Sequence, residues 1–217
     1  MPQTVYIFDF DGTLTTRDTL LEFIRYAKGT GAFVIGFLLH APLLVAMKLR
    51  LYPNYKAKQR IFSYYFKGCR LTDFDDICRR FARDHGSKLL RPQGLATLRQ
   101  ALEARHRVLI VSASIDNWVR PFFSQLPAAT AARPDSAPAE AERGAVTVLG
   151  TRVEFRDGRL TGRFLTPNCY GAEKVRRVLE ALTEPRSHYH IIAFGDSRGD
   201  KELLNYADEP HYKPFRR

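Results

Sequence analysis

A chain of 217 residues is long enough for one domain, or for one domain with an inserted unit, and it can bury a substantial core. Its 45% hydrophobic and 26% charged content excludes wholesale disorder. The 34 Lys and Arg residues against 23 Asp and Glu leave a formal charge of +11. This excess favours anionic partners such as nucleic acid, an acidic membrane surface or phosphorylated substrates, without choosing among them.

The cysteines and the N-terminal segment both indicate a reducing compartment. Cys69, Cys78 and Cys169 are odd in number and lack C-x-x-C spacing, so neither a disulfide framework nor a zinc cluster is predicted. The first apolar run, residues 5–8, is too short for the apolar part of a secretory signal and leads into two aspartates. We therefore expect a cytoplasmic protein.

Three short apolar runs are predicted to be buried strands of one sheet. They lie at 4–8, 108–111 and 191–194, and each ends in small or polar residues. Helical patterns at 94–105 and 173–182 precede the second and the third run. Buried strands that alternate with helices are typical of a parallel sheet. The predicted fold class is therefore α/β, with a Rossmann-like parallel sheet core flanked by helices.

A long insertion interrupts this alternation after the first strand. Residues 17–91 contain mostly helical patterns and no convincing strand, which predicts an inserted all-helical cap. The α/β core would then consist of residues 1–16 and 92–217.

A second interruption follows the second strand. Residues 127–144 are rich in Ala and Pro, which predicts an exposed, mobile loop within the core. A hairpin is expected after this loop. Its arms would be 146–155 and 160–165, joined through the turn at 156–159.

The first strand ends in two carboxylates, Asp9 and Asp11. Side chains alternate along an extended chain, so these two point to one side and Phe10 to the other. Carboxylates so close repel each other unless a cation or a proton lies between them. A divalent metal would let one act as an ionised nucleophile while the other exchanges a proton as a general acid or base. Gly12 permits the close backbone approach that an anion-binding turn needs, although Asp-Gly is also a plain turn signal.

The second strand ends in a hydroxyl group. Ser112 and the backbone amide of Ala113 would suit a phosphoryl oxygen, although a serine at this place is often only a helix N-cap. Ser114 is the better N-cap candidate, for a helix through Trp118.

Charged residues accompany the third strand. Asp196 and Asp200 lie in a Gly-bounded loop after it, which suits Mg²⁺ but also suits a turn with an N-cap. Lys174 begins a helix and would by itself be a solvated lysine. In open α/β sheets, however, ligands bind at the carboxyl ends of the strands. The joint pattern therefore predicts one site for an anion and a metal at this edge.

Four segments, taken in order, resemble the signature motifs of the haloacid dehalogenase superfamily of phosphatases. They are DFDGTLT at 9–15, VLIVS at 108–112, Lys174, and GDSRGD at 195–200, and together they span nearly the whole chain. The helical insertion between the first and second motifs is similar to the C1-capped subgroup that includes phosphoserine phosphatase.

This resemblance implies a role for each matching residue. Asp9 would attack phosphorus and carry the phosphoryl group, while Asp11 would protonate the leaving alcohol and later activate water. Mg²⁺ would be the cofactor. The implied phosphate ligands are Gly12, Ser112, Ala113 and Lys174, and the implied metal ligands are Asp9, the backbone carbonyl of Asp11, and Asp196, with Asp200 in support.

The cap contains an unusual apolar run. Residues 32–47 are almost wholly apolar, yet sixteen residues fall short of the ~20 that a transmembrane helix needs. Such a helix has to be buried in protein or in lipid. It could be a core helix, a helical pair bent near Pro42, or an interfacial segment that touches a membrane through 32–60.

The cap is also strongly basic. From Arg25 to Arg70, nine residues are Lys or Arg and none is Asp or Glu. Basic residues flanking the apolar run would meet anionic headgroups or a phosphorylated substrate. The candidates for substrate contact are Arg25, Lys56 and Lys58.

A finer resemblance concerns the substrate. The apolar and basic cap segments, together with 165–174 and 211–214, are similar to the phosphatidylglycerophosphatase C type of the superfamily. This implies phosphatidylglycerophosphate as the substrate, at the inner face of the membrane. The alternatives are a soluble small-metabolite phosphatase of the phosphoserine phosphatase kind and a non-catalytic anion-binding module. No nucleic-acid partner is expected, because the basic residues form no recognisable nucleic-acid-binding pattern.

Overall fold

The computed structural model describes residues 2–49, 51–126 and 144–216. The loop predicted at 127–144 lies outside the described residues, apart from Gly144. The described strands are β1 (Gln3–Phe8), β2 (Arg107–Ile115), β3 (Val146–Thr151), β4 (Val153–Arg156), β5 (Arg159–Phe164), β6 (Tyr189–Gly195) and β7 (Glu209–Tyr212). The described helices are α1 (Thr19–Leu39), α2 (Ala41–Lys48), α3 (Asn54–Phe66), α4 (Leu71–Leu89), α5 (Pro92–Glu103), α6 (Asp116–Val119), α7 (Ala172–Ala181) and α8 (Lys201–Tyr206), with a π turn at Phe10–Leu14 and 3-10 turns at Arg120–Phe123, Arg186–His188 and Arg198–Asp200.

A five-stranded parallel sheet in the order β3-β2-β1-β6-β7 forms the core. The three predicted strands are confirmed, and they are the three in the middle. Their middle residues are mostly apolar because both faces of the sheet are covered. The predicted α/β fold with a parallel sheet flanked by helices is also confirmed.

The two edge strands were not predicted. β7 has the sequence EPHY and is exposed along its whole length, so it lacks the apolar pattern of a buried strand. Val146–Thr151 was assigned to the first arm of the hairpin, and this assignment is wrong. It pairs in parallel with β2, and only Val153–Arg156 pairs antiparallel with β5. The turn between β4 and β5 has positive φ at Asp157 and Gly158, as expected for a tight hairpin.

Side chains of β1 alternate between two hydrophobic clusters, one on each face of the sheet. Val5 and Ile7 belong to the cluster under α7 and α8. Phe8 points to the opposite face, where its ring stacks on Phe194 at 4.6 Å and joins the cluster shared with the cap. The carboxyl edge of the sheet, where the site is predicted, is therefore supported by a closely packed core.

Helices α1 to α4 occupy the predicted insertion at 17–91 and pack around aromatic side chains. Phe23 contacts Phe66, Phe74 and Phe81 with ring centroids 5.4 to 5.6 Å apart. Burying each such ring stabilises the fold by roughly 1.5–3 kcal/mol. Phe23 also stacks on Trp118 at 4.8 Å, and α6, which holds Trp118, follows β2 directly. The cap and the core thus share one continuous hydrophobic cluster.

The apolar run at 32–47 forms a bent helical pair rather than one straight helix. α1 is interrupted at Gly29, where φ is 79°, and α1 and α2 meet at 62° beside His40. Within the described part of the chain, no single helix is long and apolar enough to cross a bilayer, and only this bent pair reaches the required length and composition when its two helices are taken together.

The β4–β5 hairpin packs against the cap, although its sequence lies within the predicted core at 92–217. The amide of Gly68 donates to the carbonyl oxygen of Leu160 at 2.8 Å, and the amide of Phe164 donates to Gln59 Oε1 at 2.9 Å. A Cβ on Gly162 would lie 2.5 Å from Ser63 Oγ, so the backbone of β5 closely approaches the side chains of α3 there. The hairpin buries Leu160 in this contact, which explains why it leaves the sheet.

Candidate active site

Asp9, Ser112 and Asp196 meet at the carboxyl edge of the sheet because β1 and β6 end there and the pairing of β2 with β1 ends at Ile110, just before Ser112. β1 lies between β2 and β6 and pairs in parallel with both. The amide of Asp9 donates to the carbonyl oxygen of Phe194 at 2.9 Å, which continues the pairing one residue past β1. The prediction of one shared edge is therefore confirmed by the register of the strands.

Lys174 lies between two carboxylates. Its Nζ donates to Asp9 Oδ1 at 2.5 Å and to Asp200 Oδ1 at 2.6 Å, and its side chain is only 2% exposed. Burial alone would lower the pKa of Lys174, but the two carboxylates outweigh burial and raise the pKa above its ordinary value. The solvated-lysine alternative is wrong, and Lys174 is a fixed cation in the site.

Asp9 lacks enough compensating charge in the site as it stands. Burial is the main cause that raises the pKa of Asp9 to about 7, and the neighbouring carboxylates of Asp200 and Asp11 add to the shift. Lys174 acts in the opposite direction but does not cancel it. A further positive charge beside Asp9 would restore its ionised form.

Asp200 is held by its own loop. Its Oδ2 accepts hydrogen bonds from the amides of Asp196 and Ser197 at 3.1 and 2.9 Å and from the Ser197 hydroxyl at 2.8 Å. Burial works to raise the pKa of Asp200, but Lys174 and these hydrogen bonds outweigh it and lower the pKa. Ser197 and Asp200 also form a capping box, so the turn and N-cap alternative is correct alongside the charged role.

Asp196 has one satisfied and one unsatisfied oxygen. Its Oδ2 forms an ion pair with Arg216, whereas its Oδ1 is buried and has no hydrogen-bond partner among the described residues. A Cβ on Gly12 would lie 2.5 Å from Asp196 Oδ2, and the φ of Gly12 is 83°. Only glycine therefore lets the loop after β1 approach this carboxylate so closely.

These carboxylates fit a hard divalent cation. Oxygens of Asp9, Asp196 and Asp200 all lie within 4.8 Å of one another. Carboxylate oxygens are the ligands that Mg²⁺ prefers, and Asp196 Oδ1 is buried without a hydrogen-bond partner among the described residues. The backbone carbonyl of Asp11 stays a predicted further ligand.

The side chain of Asp11 is held by neutral donors, unlike that of Asp9. Its Oδ1 accepts hydrogen bonds from the Thr19 amide at 2.7 Å and the Thr19 hydroxyl at 2.6 Å. Its Oδ2 accepts one from the Ser114 hydroxyl at 2.5 Å and a longer one from Ser112 at 3.4 Å. The two carboxylates therefore lie in different environments. Asp9 contacts the cation Lys174, whereas Asp11 contacts mainly hydroxyl groups.

Ser114 was wrongly predicted to be a helix N-cap. It lies inside β2, which runs four residues past the predicted end at Val111, and α6 begins only at Asp116. Ser112 and Ser114 are two residues apart, and both hydroxyls reach Asp11 Oδ2 although the pairing of β2 with β3 is irregular between Val111 and Ile115. That spacing is the signal that identifies Ser114 as a site residue. Thr19, by contrast, gave no such signal.

Of the backbone groups predicted to bind phosphate, the Gly12 amide has a partner in the structure, whereas at Ala113 it is the carbonyl oxygen, and not the predicted amide, that has partners. The amide of Gly12 donates to Thr15 Oγ1 at 3.2 Å. The carbonyl oxygen of Ala113 accepts hydrogen bonds from Lys58 Nζ at 2.8 Å and from Thr151 Oγ1 at 3.0 Å. Phosphate binding by Gly12, Ser112 and Ala113 stays a prediction.

A cavity of about 610 Å³ joins this site to the cap. Lys58 reaches it from α3, and burial lowers the pKa of Lys58 although Asp11 and Asp18 oppose that shift. Arg25 and Lys56 are exposed and do not line the cavity, so the structure brings in only one of the three predicted cap residues. The rest of the cap side combines the polar residues Arg17, Asp18 and Asn54 with six apolar ones, Leu20, Leu21, Phe37, Leu44, Met47 and Ile61.

A larger cavity of about 890 Å³ lies away from these carboxylates, between α4, α5 and the segment after α6. Arg79, Arg83, Arg99 and Arg120 line it. None of the residues predicted to be catalytic or to bind metal lines this second cavity. The arrangement of reactive groups, and not the cavity volume, therefore identifies the site.

The chain belongs to the haloacid dehalogenase-like hydrolases, since the model of that family matches residues 6–205. This confirms the resemblance that the four sequence segments carry, and it makes the protein an enzyme. The chain is 32% identical over 210 residues to protein CicA of Caulobacter vibrioides, a match that covers 96% of this chain and 85% of CicA.

Solved structures share the fold at low sequence identity. A protein of unknown function from Bordetella pertussis Tohama I superposes with a TM-score of 0.73 at 19% identity, over 94% of this chain and 87% of that one. A phospho-aspartyl intermediate analogue of phosphoserine phosphatase superposes with a TM-score of 0.53 at 19% identity, over 95% and 84% of the two chains. These likenesses show a common architecture of the sheet and its flanking helices.

Proposed function

We propose that the protein is a Mg²⁺-dependent phosphomonoesterase that forms an aspartyl-phosphate on Asp9. The observation that carries this proposal is the contrast between Asp9 and Asp11. Asp9 contacts the cation Lys174, which favours an ionised nucleophile, whereas Asp11 contacts hydroxyl groups that can donate or accept as its proton comes and goes. The family match supports a hydrolase.

The proposed reaction proceeds in two displacements. An oxygen of Asp9 attacks phosphorus while the bond from phosphorus to the leaving oxygen breaks, and Asp11 gives its proton to that oxygen. Asp11 then takes a proton from water, whose oxygen attacks phosphorus and releases inorganic phosphate and Asp9. Lys174 stabilises the negative charge on the phosphoryl oxygens in both steps.

Asp9, Asp196 and Asp200 would hold Mg²⁺. When bound, the ion would neutralise charge on Asp9 and on the phosphoryl group, which otherwise repel each other. Asp196 contributes the oxygen that has no hydrogen-bond partner among the described residues.

Two kinds of substrate are candidates. Phosphoserine phosphatase structures are among those that share this fold, which supports the alternative of a small phosphorylated metabolite. The apolar cap side of the cavity, with Phe37, Leu44 and Met47, supports an ester with an apolar part, and phosphatidylglycerophosphate is the candidate of that kind. Lys58 would serve either one, because it places a cation on the leaving-group side of the site.

The proposed chemistry is tested with p-nitrophenyl phosphate and MgCl₂. After acid quenching, the unmodified protein is expected to show a mass increase of one phosphoryl group. Asp9→Asn is expected to abolish both turnover and this mass increase. Asp73→Asn, at an exposed aspartate of α4, is the matched control and should behave as the unmodified protein. Full turnover by Asp9→Asn, or activity that survives removal of divalent metal with EDTA, would contradict the proposal.

The substrate is tested by phosphate release from phosphatidylglycerophosphate in detergent micelles and from phosphoserine, compared by kcat/KM. A higher kcat/KM for phosphoserine would remove the phospholipid candidate. A higher value for the lipid would remove the small-metabolite alternative.

A further inference from the structure

The bent pair α1–α2 exposes an apolar face to solvent. Leu38 and Leu39 are 68% and 64% exposed, and neighbouring aliphatic side chains share their exposure. A contiguous apolar surface on a soluble domain usually marks a place where something binds. We call this surface the apolar face; it consists of Val34, Ile35, Leu38, Leu39, Val45 and Leu49.

The exposed face is not an unpacked part of the core. Phe33, Phe37 and Leu44, on the inner side of the same two helices, pack against the cap cluster. The phenol of Tyr65 donates to the carbonyl oxygen of Phe33 at 2.9 Å and fixes the pair to α3. The helices are therefore anchored on one side and apolar on the other. Exposure of that apolar side to water is energetically unfavourable.

Charge and composition favour a lipid surface over a protein partner. The chain has no Asp or Glu from residue 23 to residue 72, and the exposed Lys28 and Lys48 flank the apolar face in sequence. Aliphatic side chains beside lysines suit the boundary between acyl chains and anionic headgroups.

We propose that the apolar face of α1–α2 binds the surface of a membrane that contains anionic lipid. The bent pair lies in the interface with its outer side chains among the acyl chains, and it does not span the bilayer. Phe37, Leu44 and Met47 of this pair also line the cavity that holds the reactive carboxylates. Binding in this way brings that cavity wall to the headgroup layer. The inference goes beyond the proposed catalysis, since it holds whether or not Asp9 reacts.

Vesicle sedimentation of the full chain tests the proposal. The double variant Leu38→Glu, Leu39→Glu is expected to bind vesicles of equal parts phosphatidylglycerol and phosphatidylcholine on the order of tenfold more weakly, because two side chains that would lie among the acyl chains become charged. The matched control is Leu165→Glu, Leu179→Glu, which adds the same charge at two leucines that are 54% and 51% exposed outside the cap helices. The control should bind within about twofold of the unmodified protein, which should itself prefer these vesicles to pure phosphatidylcholine.

Several outcomes would overturn the proposal. The unmodified protein could stay in the supernatant with every vesicle, or both double variants could lose binding equally. Light scattering of lipid-free protein could instead give a dimer that Leu38→Glu, Leu39→Glu separates, in which case a second copy covers the face.

Two further measurements keep the result unambiguous. Far-UV circular dichroism and melting of each variant detect unfolding, and Val45→Glu repeats the test from α2. Sedimentation requires no turnover, so Asp9→Asn protein is expected to bind vesicles normally. Unmodified protein that binds vesicles but shows no phosphatase activity would contradict the proposed function and leave this proposal standing, whereas phosphatase activity without vesicle binding would do the opposite.

Discussion

The two sides of the cavity differ in the chemical character of the side chains that line them. The core side consists of charged and hydroxyl groups beside the ends of parallel strands, with Lys174 within hydrogen-bond distance of both Asp9 and Asp200. The cap side consists mainly of apolar side chains on α1, α2 and α3, together with the polar and charged residues Arg17, Asp18, Asn54 and Lys58. Charged groups need fixed geometry to act on phosphorus, whereas apolar groups need only shape to accept a leaving group. This division implies that core residues set the rate for every substrate and that cap residues set the preference among substrates.

The strongest test of the core side is Lys174→Met. It removes the cation between two carboxylates and should lower kcat by a factor on the order of 10²–10³ for all phosphate esters, because charge on the phosphoryl oxygens loses its partner. Lys201→Met, at an exposed lysine of α8, is the control. A loss confined to one substrate would break the division between core and cap. Thermal melting of both variants checks that the fold is intact.

Ser114→Ala tests a positioning residue on the core side. Its hydroxyl donates to Asp11 Oδ2 at 2.5 Å, so its removal should lower kcat by about 10- to 100-fold on every substrate and shift the pH profile of kcat. The pH profile matters because a merely structural serine would lower activity without moving it. Ser124→Ala removes an exposed hydroxyl and should change neither quantity. An unchanged profile for Ser114→Ala would exclude its action through Asp11.

Lys58→Met tests the cap side. KM should rise by about tenfold for substrates whose leaving group is anionic and change little for p-nitrophenyl phosphate, since only the former gain from a second cation. Lys56→Met is the matched control two residues away, because Lys56 is exposed and does not line the cavity. Equal effects on kcat for both kinds of substrate would place Lys58 with the core residues.

The smallest expected effect concerns metal affinity. Arg216 pairs with Asp196, a predicted Mg²⁺ ligand, so it competes with the metal for negative charge. Calorimetric titration with MgCl₂ should give a severalfold lower Kd for Arg216→Ala, while Lys213→Ala, at an exposed lysine in the same segment, should match the unmodified protein. A higher Kd for Arg216→Ala would mean that Arg216 orients Asp196 for the metal.

The reactive core could be predicted largely from local sequence. A buried parallel strand appears in the sequence as a continuous apolar run. The polar residues that follow such runs can be identified from the sequence, and this located Asp9, Asp11 and Asp196. Lys174 could be assigned only in combination with those strand ends, because a lysine at the start of a helix carries no signal alone. The family match then confirmed the four-segment pattern.

The rest depended on contacts between distant parts of the chain. β3 and β7 are edge strands whose pairing with β2 and β6 is set by the sheet and not by their own pattern. Arg25, Lys56 and Lys58 look alike in sequence, and only the packing of α3 turns Lys58 inward. Arg216 reaches Asp196 because the chain after β7 folds back, where the Lys213 amide donates to the Gly195 carbonyl oxygen at 2.8 Å. None of these contacts is encoded at short range.

Trp118 is the only tryptophan of the chain, and it lies where the cap meets the core. Its indole N–H donates to Thr19 Oγ1 at 3.2 Å, the same hydroxyl that donates to Asp11, and its ring stacks on Phe23 of α1. Any separation of α1 from the core would expose this indole to water and shift its emission to longer wavelength. The protein therefore contains a built-in optical reporter, and stopped-flow fluorescence can time the movement of the cap against turnover without any added label.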